Sequence, residues 1–101
     1  MLGDERYALM QDFRSSYVRM CELMAAALNA GYDRRVVTEA ARGNGRLLVG
    51  LRKRRAKLNA VLETCQFAGI EMSDLVTVAR EVRSAVESEW MLELPIFSEE
   101  R

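Results

Sequence analysis

The chain has 101 residues, half of them apolar and 30% charged, with one proline, six glycines and no histidine. That is one domain's length, with apolar material for one modest core; it excludes a disordered chain, and so few turn formers favour long helices over an all-β fold. Formal net charge is zero, yet residues 34–57 hold nine basic groups and one acid, Glu39, between acidic flanks.

In residues 4–30, Met10, Phe13, Tyr17, Met20, Met24 and Leu28 recur at steps of three and four, with Leu9, Cys21 and Ala27 at the edges of the stripe. At about 100° per residue this is one face of a helix. Asp4 and Glu5 suit its positive end, and Gly31 suits a stop.

Asp33 is placed to cap a second helix, whose apolar face holds Val36, Val37, Ala40, Leu47, Leu51, Leu58, Val61, Leu62 and Cys65. "RGNGR", residues 42–46, weakens it, since glycine inside a helix costs about 1 kcal/mol relative to alanine. The stripe nevertheless keeps its phase, Ala40 and Leu58 falling at the same angle. The phase predicts one long helix over 34–66, kinked near Gly43–Gly45, in preference to two helices separated there.

Gly69 predicts the next stop and Ser73 the next cap. Leu75, Val78, Ala79, Val82, Ala85 and Val86 then form the stripe of a helix over 73–92, which must end before Pro95. Residues 93–101 are an apolar tail. Two short connections predict an all-α, antiparallel up-down-up three-helix bundle, a single domain with a coiled-coil-like hairpin between its first two helices.

"LRKRRAKL", residues 51–58, concentrates the positive charge. On a helical wheel its five cations encircle the helix, with Arg54 and Arg55 beside the apolar stripe. Internal pairing with carboxylates of the neighbouring helices is the reading favoured here; an acidic protein partner comes next, and nucleic acid last, because a nucleic-acid reader gathers its cations on one face and often adds aromatics. The nucleic-acid alternative, a small basic-helix binder or regulator, would use Arg46, Arg52, Lys53 and Lys57.

Little else resembles chemistry. Without histidine there is no ordinary neutral-pH base and no Ser-His or Cys-His pair. Cys21 and Cys65 lie too far apart in sequence for a zinc motif and fall on apolar faces, as buried free thiols would. "GNGRLLVG" lacks the lysine and hydroxyl ending of a phosphate loop, and Glu87, Glu89 and Glu93 read as a solvated face. No enzyme, cofactor or metal is expected. "MLGDERYALM" has no signal-peptide run, and no stretch reaches the ~20 apolar residues of a membrane span, so a cytoplasmic protein is expected.

An amphipathic bundle without chemistry points to protein binding. Methionine suits adaptable apolar surfaces as well as cores, and Trp90, Met91, Leu92, Leu94, Ile96 and Phe97 are many large apolar groups for a tail. The tail either folds back on the bundle, associates with a second copy as a homodimer, or yields a groove to a partner. Candidate partner contacts are Met20, Met24, Leu47, Leu51, Val78, Val82, Trp90, Leu94, Ile96 and Phe97.

The stretch "MCELMAAALNAGYDRRVVTEAARGNGRLLVGLRKRRAKL" resembles small bacterial flagellar (type III) export chaperones of the FliT and FlgN kind. The shared layout is an Ala-rich first-helix end, a glycine-aromatic-aspartate junction (Gly31, Tyr32, Asp33), and a basic, leucine-spaced second helix that opens with Glu39 and Arg42. "RRAKLNAVLETCQFAGI" looks like the later part of such chaperones. The resemblance implies a non-enzymatic chaperone that binds a helical segment of an export substrate or secretion component in an apolar groove.

Overall fold

The computed structural model describes residues 3–86, and the tail with its predicted contacts Trp90, Leu94, Ile96 and Phe97 lies outside them. The described residues form four helices in the order α1 (Gly3–Asn29), α2 (Arg34–Ala41), α3 (Val49–Phe67) and α4 (Met72–Val86), with no strand. The all-α expectation holds. The three-helix count does not, because the predicted helix over 34–66 is divided into α2 and α3.

The division follows from glycine chemistry. Gly43 has φ +88° and Gly45 φ +81°, the left-handed region where a side chain is strained. At the end of α2 the Gly43 N–H donates to the Ala40 carbonyl (2.9 Å) and the Asn44 N–H to the Glu39 carbonyl (2.8 Å). These crossed bonds are the Schellman closure, which satisfies the last carbonyls of a helix and turns the chain away. α1 ends the same way at Gly31, with Tyr32 N–H to Ala27, and α3 at Gly69, with Ile70 N–H to Cys65. Starts are less uniform. Asp33 caps α2 as expected, its Oδ1 accepting from the Arg35 N–H at 2.7 Å. α4 begins at Met72, so Ser73 lies inside it, and Glu71 supplies the first carbonyl, which accepts from Asp74 and Leu75.

α1 is the central element and packs against each of the other three helices; α2 also packs on α3. Its buried face is correspondingly broad, comprising Phe13, Ser16, Tyr17, Met20, Cys21, Met24 and Ala27. Phe13 and Tyr17, one turn apart, stack with centroids 6.0 Å apart. Opposite them lie Val37 and Ala40 of α2, Leu51, Leu58, Leu62 and Cys65 of α3, and Leu75, Val78, Ala79 and Val82 of α4. Burying each large aliphatic side chain contributes roughly 1.5–3 kcal/mol. α3 runs antiparallel to α1, since the Cys65 thiol near its end donates to the Leu9 carbonyl near the start of α1 (3.6 Å). α4 runs parallel to α1, since Arg6 pairs with Asp74 at 3.0 Å and Arg14 with Glu81 at 2.9 Å. Exposed pairs of this kind contribute about 0–1 kcal/mol each, but they fix direction and register.

The carboxylates of α4, Asp74 and Glu81, thus meet arginines of α1, and within the basic middle Arg42 pairs with Glu39 at 3.6 Å. Arg55 is only 6% exposed and donates to the Ala41 carbonyl (3.4 Å) and to the Asn59 side chain (3.1 Å). It joins α3 to the end of α2 through a backbone carbonyl.

Candidate functional site

The break at Gly43–Gly45 creates a corner between α2 and α3. Residue 48 is the pivot: Leu48 has φ +54° and ψ +55°, a left-handed conformation that costs a leucine about 1–2 kcal/mol. Its side chain is half-buried against the core, while its neighbours Leu47 and Val49 remain 56% and 49% exposed. Backbone strain of this kind persists only where the surroundings enforce it. Here Arg52 does so, donating from Nε to the Leu47 carbonyl (3.3 Å) and from a terminal nitrogen to the Arg46 carbonyl (3.2 Å).

Between this corner and the outer face of α2 is an open concavity of about 270 Å³, lined by Arg35, Val36, Glu39, Asn44, Gly45, Arg46 and Leu47. It is smaller than the ~300–1,000 Å³ of sites that enclose a small molecule, a size for one or two side chains. Its floor is apolar, from Val36 and Leu47, and its charged lining is two arginines, Arg35 and Arg46, and one acid, Glu39. A second concavity, of about 410 Å³, shares Arg35 and Glu39 and adds Asp33, Arg34, Thr38 and Arg42. Glu39 is paired with Arg42 at 3.6 Å. The groove between α1 and α4, about 370 Å³, is lined by Arg6, Tyr7, Met10, Gln11, Arg14 and Val78, and the two cross-helix ion pairs occupy its arginines.

The predicted contacts divide sharply. Met20, Met24 and Leu51 are each 3% exposed, Val82 4% and Val78 7%, so these five are core residues closed to a partner in this conformation. Leu47 stands in the open, because it lies in the corner and not on a helical stripe. Arg35 and Val49 are exposed as well, and Val36, which its spacing put on the apolar stripe, is half-buried; the doubled glycine around Asn44 is the signal that brings Val36 and Leu47 into one corner. Of the four cations of the nucleic-acid alternative, Arg52 is turned back onto the chain, while Arg46, Lys53 and Lys57 are exposed.

The thiols offer no nucleophile. Burial pushes the Cys21 thiol up to about 11, against a smaller lowering by nearby Arg83 and a raising by Glu22. Burial and then the negative charge of Asp12 raise Cys65 as well. Reactive cysteines require the opposite setting, electropositive and accessible. Among the described residues no three metal-ligating side chains converge, and no helix is long and apolar enough to cross a membrane. Comparison of the chain with protein-family models, curated proteins and solved structures gives no match.

Proposed function

We propose that this chain is a non-enzymatic protein-binding module, an adaptor or chaperone that holds an apolar segment of a partner protein at the α2–α3 corner. The observation that carries this reading is the open cleft lined by Leu47 and Val36, beside the corner that Arg52 and a strained Leu48 form. Other large apolar groups are exposed too, Phe67 and Tyr7 among them, but Leu47, 56% exposed, and the half-buried Val36 lie together in a preformed hollow. Preformed corners cost little ordering entropy on binding, which is what a docking site needs. A helical segment of an export substrate or secretion component, in the cytoplasm, is the partner that the resemblance to flagellar export chaperones suggests. The cleft accommodates one or two anchor side chains of such a segment.

The test is site-specific photocrosslinking in the cells that make the protein. A photoreactive residue at Leu47 is expected to give a discrete protein adduct, while the same residue at Phe67, which is 96% exposed on α3, gives none. Equal adducts at both positions, or none at Leu47, would overturn the reading.

A further inference from the structure

Given that the cleft is the docking site, as proposed above, its rim indicates what docks. We infer that the cleft takes a partner segment in which one large apolar side chain is flanked by carboxylates. The floor, Val36 and Leu47, asks for the apolar anchor, and the volume of about 270 Å³ limits it to one or two side chains. The rim asks for the acids. Arg35 and Arg46 both line the cleft, one from α2 and one from the corner, and both are exposed. The lining holds one acid, Glu39, against the two arginines, and that acid pairs with Arg42 at 3.6 Å. The acids of α4 lie elsewhere, on Arg6 and Arg14. With two arginines to one already paired carboxylate, the charged lining beside the apolar floor has a positive excess, which suits an outside anion. Arginine favours carboxylate because its planar fork binds both oxygens at once. Arg46 is also well prepared for this role: its carbonyl is held by Arg52 at 3.2 Å, so the backbone is fixed while the guanidinium reaches solvent.

The experiment is peptide selection from a random displayed library on the immobilised full chain, followed by affinity measurements on the enriched peptides. Enriched sequences are expected to carry one aromatic or leucine between aspartates or glutamates. Their affinity should fall about tenfold or more in Leu47→Asp, as for a central anchor. It should fall comparably in the double variant Arg35→Glu/Arg46→Glu and weaken as salt rises from about 50 to about 500 mM. Both variants alter exposed side chains, and Phe67→Ser serves as the control that leaves affinity unchanged. Enriched peptides without acids, yet lost in Leu47→Asp, would overturn the acidic partner while leaving the docking site in place. Peptides indifferent to Leu47→Asp, or no enrichment, would overturn both. A dimer of the free protein that Leu47→Asp dissociates, or a crosslink from position 47 to residues 87–101 of the same chain, would assign the cleft to those occupants and overturn the outside partner.

Discussion

Arg55 illustrates how a cation is kept inside a core this small. Its stem lies among apolar groups and its head is spent on the Ala41 carbonyl and Asn59. A truncation removes packing and leaves a carbonyl at the end of α2 without this donor. Arg55→Ala is expected to destabilise the fold by about 2–3 kcal/mol in urea unfolding, and Arg55→Met, which restores the stem, by less. An unchanged midpoint for Arg55→Ala would show that the junction is held by something else. Cys21 provides a second check, through pH. Its folded pKa, about 11, lies above the ordinary thiol value of 9.0, so the fold binds a proton that the unfolded chain gives up first. The resulting stability is fully present below pH 9 and is lost as pH rises from 9 to 11, by about 3 kcal/mol. Urea midpoints of the native chain should drop across that window, and Cys21→Ala should reduce the drop.

Helix ends are written in glycine. Gly31, Gly43 and Gly69 have φ of +97°, +88° and +88°, and each closes its helix by the same pair of crossed hydrogen bonds. Alanine at any one of them forces a β-carbon into the left-handed region, so each substitution is expected to cost about 1–2 kcal/mol in thermal or urea unfolding. Gly50, with an ordinary φ inside α3, is the contrast: Gly50→Ala should be neutral or stabilising. The same residues explain what the sequence conveys and what it hides. Gly31 and Gly69 stand where apolar periodicity ends, and their role as stops is legible. Gly43 and Gly45 stand where periodicity continues, because eighteen residues make five helical turns at 3.6 residues each. Ala40 and Leu58 therefore share an angle on a wheel while belonging to two different helices. The stripes of α1 and α4 were legible because one helix carries each of them throughout.

At the scale of the molecule, one broken helix has two consequences. α2 folds back as a short element wedged on α1 and α3, and the corner it leaves exposes Leu47 and Val49 while turning Leu48 inward. Leu47 and Arg46 of the candidate site were legible in the sequence as candidates, but not their meeting with Arg35 and Val36 in one corner. Met20, Met24, Leu51, Val78 and Val82 have the same apolar character as Leu47 and are buried, and only the chain's path separates them. Charge follows the same logic: the balance between acidic flanks and a basic middle is visible in the sequence, whereas the choice of Arg6 and Arg14 as partners for α4 depends on packing direction. The cleft, its arginine rim and its proposed partner all depend on the interruption between Ala41 and Val49. The most direct measurement is the set of backbone 13Cα chemical shifts across residues 34–67 in solution. Helical shifts over 34–41 and 49–67, separated by non-helical values at 43–48, are the expected result; uninterrupted helical shifts through Gly43, Asn44 and Gly45 would remove the corner and the site with it.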